Sequence, residues 1–418
     1  MRGLKFAFAM TLVALAIIIL RRHAGVTPAA NAGASVYTRW KADGLDGLGL
    51  DDITLKTTSP ALLGQYRRLP TRSPCWWIRN ASHCLPDFLL VGTMKAGTTA
   101  LSAYLQFHDD IYMSTKKEPN FFNPPCGRSC PGGGPQHNLR FYMSLFPAFD
   151  AHTADGLRAS AFEATSSYLF SSLATPAVMH KWLPDAKLIV LVRDPVDRAY
   201  SQYQLGLTLL REDMARRVGQ RSCDGSVIGV ESFSDLVQRA LLTFERCTNH
   251  LVAGREMQYY SCKRQPRVGT PCDQVVTASA LINPGLYIYH IERFMQHYPR
   301  ESILILDNAE LSAAPEQTVR ATFDFLDLGQ PPRPWLPPSA FDRVCPRFFG
   351  ITSDKIYRSS AGTSFTGVEE AAPEAGHKAC EAYPAMDVAT RRLLADFYRP
   401  HNLRLYSFLG RNLGWTSR

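Results

Sequence analysis

The sequence predicts an α/β fold, a P-loop-type parallel sheet with helices on both faces, and three observations carry that expectation. Apolar runs of strand length recur within "DFLLVG" (87–92), "AKLIVLVRDP" (186–195) and "SILILD" (302–307). None alternates with polar residues, as a half-solvated strand would, so both faces of each are expected to be covered. Helical segments separate the runs. The first run also enters a glycine-containing turn that opens a helix, "LLVGTMKAGTTALSAYL" from Leu89 to Leu105. That strand–turn–helix passage is a common way for a protein to hold a phosphate.

From the N-terminus, the chain begins with a different kind of segment. Phe6 to Leu20, "FAFAMTLVALAIIIL", is uninterrupted and apolar, with Arg2 and Lys5 before it and Arg21 and Arg22 after it. It is shorter than the roughly 20 residues of an ordinary membrane span. A cleaved signal peptide with a site near Ala30–Ala32, an uncleaved signal anchor and a buried helix all compete for it. Basic flanks on both sides and the lack of a polar face favour the anchor. The expected division is a short cytoplasmic tail (1–5), a signal-anchor transmembrane segment (6–22), a stem rich in Ala, Gly, Thr and Ser (23–70) and one folded domain in the secretory lumen (71–418).

Composition agrees. The 418 residues are 45% hydrophobic and 20% charged, enough for a sizeable core. A formal charge of +9, scattered in pairs such as Arg67-Arg68 and Lys116-Lys117, suits an anionic ligand or polymer and gives no basic run of the kind that would suggest nucleic acid. The ten cysteines form no zinc-ligand pattern. Cys126 and Cys130 are spaced C-x3-C without a matching second pair, so disulfides in an oxidising lumen are the simpler account and no metal is expected. Asn80-Ala81-Ser82 is a glycosylation sequon between Cys75 and Cys84.

The remaining elements follow in order. A helix is expected from Thr98 to about Phe107 and a short strand ending near Glu163 within "RASAFEATSSYLF" (158–170). Another helix begins close to Pro195, and amphipathic helices are expected at about 232–246 and 286–298. A Pro-rich stretch (329–338) interrupts the pattern before a last helix from Asp387 to Leu409.

Gly92-x4-Gly97-Thr98-Thr99 has P-loop spacing, but threonine stands where a nucleotide triphosphatase needs lysine. The lysine is Lys95, inside the loop, placed to meet one 5′-phosphate and the atom bridging it to a leaving group. Arg193 follows the second apolar run, where ligands of parallel sheets gather, and Ser201 lies on the helix beyond it. The pair could hold a separate phosphate; equally, Arg193 could be a structural partner of Asp194 or Asp197.

In order and separation, the KxGTT loop, "KEPNFF", "FEATSSYLF" and "RDPVDRAYS" resemble the PAPS-dependent sulfotransferases, particularly the heparan sulfate N- and O-sulfotransferases of the Golgi carbohydrate branch. The resemblance runs from about Pro86 to Leu409. It implies a single sulfotransferase domain and 3′-phosphoadenosine 5′-phosphosulfate (PAPS) as donor. Lys95, Ala96, Gly97, Thr98 and Thr99 would hold the 5′-phosphosulfate, and Arg193 and Ser201 the 3′-phosphate.

Glu163 matches the family's catalytic glutamate and would take the acceptor's proton, with a pKa raised by partial burial near the donor's charges. Lys95 would stabilise the departing phosphate oxygen. Lys117, preferred to Lys116 because it directly precedes Glu118, would act at the sulfuryl group or orient the acceptor. By the same resemblance Cys345 and Cys380 pair, and Lys378 replaces a lid cation, since the family's Lys-Gly-Arg lid sequence is missing. Asn120 stands where many relatives have histidine.

The implied function is sulfuryl transfer to a hydroxyl or amino group of a glycan or polysaccharide by a single-pass type II Golgi membrane protein, with its catalytic domain lumenal. Alternatives are a protein-tyrosine or small-molecule acceptor, a P-loop kinase or NTPase, and a non-catalytic glycan-binding relative.

Overall fold

The computed structural model describes residues 67–78, 81–123, 139–149, 154–171, 174–216, 232–248, 281–330 and 383–415. The apolar run at 6–20, Asn80, Cys126, Cys130, Cys345, Cys380 and Lys378 lie outside them. Among the described residues no helix is long and apolar enough to cross a membrane.

The described chain opens with a small antiparallel sheet of β1 (Arg67–Arg68), β2 (Cys75–Ile78) and β3 (Ala81–Cys84). Cys75 and Cys84 face each other across β2 and β3 and are joined by a disulfide. Five parallel strands make the main sheet: β4 (Phe88–Gly92), β5 (Ile111–Met113), β6 (Ser160–Glu163), β7 (Lys187–Val192) and β8 (Ile303–Asp307), in the order β5-β6-β4-β7-β8.

Among the described residues ten α-helices accompany them: α1 (Thr98–Leu105), α2 (Leu139–Met143), α3 (Ala154–Arg158), α4 (Thr175–Trp182), α5 (Pro195–Arg216), α6 (Phe233–Thr248), α7 (Tyr287–Phe294), α8 (Asn308–Ala313), α9 (Pro315–Phe325) and α10 (Val388–Leu409).

The missing alternation in the apolar runs has its cause in two-sided burial. Phe88, Leu90, Ile189, Leu191 and Leu306 form one cluster with Leu101 and Leu105 of α1 and with Val319 and Phe323 of α9. Their neighbours Leu89, Val91, Leu188 and Val190 turn to the other face and are equally enclosed. There the turn at Tyr168–Phe170 packs against β4, and α7 packs against that turn. Each such side chain contributes about 1.5–3 kcal/mol by leaving water.

The antiparallel sheet is clasped to the N-terminal ends of the parallel strands. The Ser73 hydroxyl donates to Asp87 at 2.8 Å and accepts from the Ala161 amide at 2.7 Å. Arg72 pairs with Asp87 at 3.0 Å and also donates to the Leu326 and Asp327 carbonyls, where α9 ends. Burial raises the Asp87 pKa, and these donors pull it back down. At the opposite ends of the strands lie the β4–α1 turn, the loop after β6 and the β7–α5 junction.

Candidate active site

Two glycines shape the β4–α1 turn. Gly92 has φ 154° and Gly97 φ 99°, a range that L side chains rarely adopt. A Cβ at Gly92 would sit 2.9 Å from the Ser166 carbonyl oxygen, and one at Gly97 2.8 Å from Asn308 Nδ2. Asn308, the first residue of α8, donates from that nitrogen to the Ala96 carbonyl at 2.9 Å and holds the turn from behind. Gly97 caps α1 without a side-chain hydrogen bond, and the first turn carries no acidic residue. The leading N–H groups and the dipole therefore favour an anion.

Cations converge on this turn. Lys95 projects from its middle with φ 71°. Its pKa is lowered to about 8, first by burial and then by the charges of Arg193, Lys117 and Arg198. The Lys117 ammonium donates to the Thr99 hydroxyl, and burial lowers its pKa against the opposing pull of Glu118. Arg193, just past β7, donates from Nη1 to the Lys95 carbonyl at 3.1 Å. The Tyr287 hydroxyl fixes its peptide, donating to the Arg193 carbonyl at 2.7 Å.

The structural pairing open to Arg193 in the sequence is not made. Asp197 is bridged to Arg391 at 2.6 Å, and the Asp194 carboxylate accepts from the Val196 amide at 2.9 Å. Ser201 lies on α5 and is only 4% exposed. Lys95, Ala96, Gly97, Thr98, Thr99, Lys117 and Arg193 thus belong to one neighbourhood. Lys116 is exposed, and its carbonyl accepts from the Ser114 hydroxyl.

Two carboxylates flank the neighbourhood, and their environments differ. Glu163, at the tip of β6, is 0% exposed. Tyr142 and Tyr168 donate to one of its oxygens at 2.7 and 2.9 Å, and Thr165 donates to the other at 2.6 Å. Its pKa is raised to about 7, chiefly by burial, with the three hydroxyls opposing and Glu118 adding to the rise. The raised pKa is as expected, but the burial is complete where only partial burial was expected. Glu163 is enclosed, and an aromatic group of Phe121, Phe122 and Phe146 around Tyr142 completes the enclosure.

Glu118 was read in the sequence only as a neighbour of Lys117. It is half-buried, has φ 54° and accepts from the Ser166 hydroxyl at 2.7 Å. Ser166 in turn abuts Gly92, so Glu118 reaches one end of the turn while Lys117 reaches the other at Thr99. Of the four non-glycine residues with positive φ among those described, Lys95, Glu118 and Asn120 are in these two loops. Strained backbone concentrated this way is typical of functional sites. The signal within reach of the sequence was a second carboxylate inside the same motif as Lys117.

Asn120 faces its own loop, donating to the Glu118 carbonyl at 2.6 Å and accepting from Asn123 at 2.8 Å. Among the described residues no group of His, Cys, Asp and Glu could hold a metal ion.

A family model described as "Sulfotransferase domain" matches residues 85–335. The chain belongs to the sulfotransferase family. This sulfotransferase-family chain is 27% identical over 382 residues to the human bifunctional heparan sulfate N-deacetylase/N-sulfotransferase 2, covering 86% of itself and 35% of that protein. It therefore spans about a third of that relative's length. It is 27% identical over 335 residues to the human heparan sulfate glucosamine 3-O-sulfotransferase 6, covering 79% of itself and 73% of that protein. A solved sulfotransferase from Alicyclobacillus acidocaldarius aligns with TM-score 0.47 and 23% identity, over 80% of this chain and 100% of the other.

Proposed function

We propose that the chain transfers a sulfuryl group from PAPS to a hydroxyl or amino group of a glycan or polysaccharide. The observation that carries this reading is the cluster of Lys95, Lys117, Arg193 and Arg198 around an uncapped helix start, with Lys95 lowered to about 8 partly by the other three charges. Cations that repel one another in the ligand-free fold suit a ligand bearing several negative charges. The family membership and the heparan sulfate enzymes among its relatives support a carbohydrate acceptor. Residues 6–22 as a Golgi signal anchor with a lumenal domain belong to the same reading, as do glycosylation at Asn80, pairing of Cys345 with Cys380 and a lid cation at Lys378.

The donor supplies the activated sulfuryl group. Lys95, Ala96, Gly97, Thr98 and Thr99 fit its 5′-phosphate by backbone N–H groups and a desolvated ammonium, and Arg193 with Ser201 fits the 3′-phosphate. Lys95 holds the negative charge left on the phosphate oxygen when the S–O bond breaks. Lys117, bonded to Thr99, orients the sulfuryl end. Glu118 is the better candidate to accept the acceptor's proton, because it reaches solvent and adjoins Lys117, whereas both oxygens of Glu163 are engaged by buried hydroxyls. Glu163 then positions the loop that carries Glu118. Thr165 links the two, donating to Glu163 and accepting from the Asn120 amide.

The test is transfer of labelled sulfate from PAPS to a polysaccharide panel by the full-length chain, beside Glu118→Gln and Glu163→Gln. Transfer to one polymer class that is lost in Glu118→Gln supports the reading. A folded chain that binds neither PAPS nor adenosine 3′,5′-bisphosphate overturns it.

A further inference from the structure

Among the described residues Arg198 is a buried charge without a counter-charge. It lies on α5, is 0% exposed and is among the largest fully enclosed side chains. Its Nη2 donates to the Leu281 carbonyl, while Nε and Nη1 have no hydrogen-bond partner among the described residues. Buried arginines elsewhere in proteins are ordinarily paired. Carboxylates are at hand in the same helical turn, yet they are engaged elsewhere: Asp197 with Arg391, and Asp194 with the Val196 amide.

Position gives the charge a direction. Arg198 and Ser201 are three residues apart on α5 and so share one face of the helix. Both are buried. Lys95 and Tyr287 each feel the Arg198 charge, and Tyr287 holds the Arg193 peptide. Arg198 therefore lies within electrostatic reach of both Lys95 and the anchor of Arg193, beneath the surface rather than on it.

We propose that Arg198 is a positioning residue whose uncompensated guanidinium keeps a positive potential beneath the cradle of Arg193 and Ser201, so that an incoming 3′-phosphate dianion supplies the neutralisation the fold leaves out. The inference rests on the donor-site reading above and adds to it a role for a residue that touches neither the reacting atoms nor solvent. An uncharged side chain of similar length at 198 removes a desolvated charge, which commonly leaves a fold as stable or more stable. The same change should weaken discrimination in favour of a nucleotide with a 3′-phosphate. Stability of the ligand-free chain and selectivity for the 3′-phosphate are thus expected to move in opposite directions.

The experiment measures thermal unfolding and calorimetric affinity of the full-length chain, in detergent, with adenosine 3′,5′-bisphosphate and with adenosine 5′-phosphate. In Arg198→Met the unliganded midpoint should hold or rise, while the affinity ratio between the bisphosphate and the monophosphate falls by about tenfold or more. Arg198→Lys should recover most of the ratio. Should Arg198→Met fail to fold, Arg198→Lys against Arg198→Gln reads the same ratio. A ratio unchanged in the uncharged variants, with wild-type binding intact, overturns this role and leaves the donor site standing. Binding of neither nucleotide by the folded wild type removes the donor reading and this inference with it.

Discussion

The tip of β6 and the loop at 116–123 each offer a carboxylate to the same end of the sheet, and they surround it differently. At β6, Glu163 is closed in by Tyr142, Tyr168 and Thr165, and burial raises its pKa to about 7. In the loop, Glu118 stays half-buried beside Lys117, held by one serine hydroxyl. An enclosed, fully hydrogen-bonded carboxylate is suited to holding neighbouring parts in register. One that keeps contact with solvent and a cation is suited to exchanging a proton. On the proposed reading, identical chemistry divides into support and reaction according to what surrounds it.

The comparison breaks most sharply on activity. Lys95→Ala and Glu118→Gln should each lower sulfate transfer by about 10²–10⁴-fold with unchanged circular dichroism and melting. Transfer that survives Glu118→Gln but vanishes in a well-folded Glu163→Gln would reverse the two roles. Next in size is Glu163→Ala, which strands three hydroxyls in a buried space. It should cost about 3–5 kcal/mol in urea unfolding, with activity loss following the unfolded fraction.

The pH dependence of stability sharpens the contrast further. Between 4.5 and about 7 the folded chain keeps a proton on Glu163 that the unfolded chain has released. Stability from this group is therefore greatest below pH 4.5 and declines as pH rises to about 7, by on the order of 3 kcal/mol. Glu163→Gln should flatten that part of the profile in denaturant titrations; a slope that persists would mean another group produces it. Smallest is Tyr142→Phe. It removes one donor to the carboxylate, should cost about 1 kcal/mol, and should move the declining limb to higher pH because the ionised form loses a hydrogen bond.

Much of the scaffold is legible in the sequence. The apolar runs became β4, β7 and β8, and Pro195 and Asp387 mark the starts of α5 and α10. Asp387 does so by accepting from the Thr390 amide at 2.7 Å, a local device that sequence displays directly. β5 escaped notice because three residues, Ile-Tyr-Met, are too few to show a period. The antiparallel sheet escaped because its strands are short and their pairing rests on a register no single strand announces.

At the site, the glycines and Lys95 were legible since backbone constraint and spacing are written locally. The fate of the two glutamates was not. Tyr142, which helps to enclose Glu163, lies 21 residues before it. Burial of that kind is decided by packing between distant segments and leaves no mark on the intervening sequence.

The clasp formed by Arg72, Ser73 and Asp87 has a consequence for reach. It fastens the entering chain to the starts of the parallel strands, whereas the cationic turn opens at their finishes, a five-residue strand or roughly 16 Å away. Clasp and cationic turn therefore occupy opposite poles of the sheet.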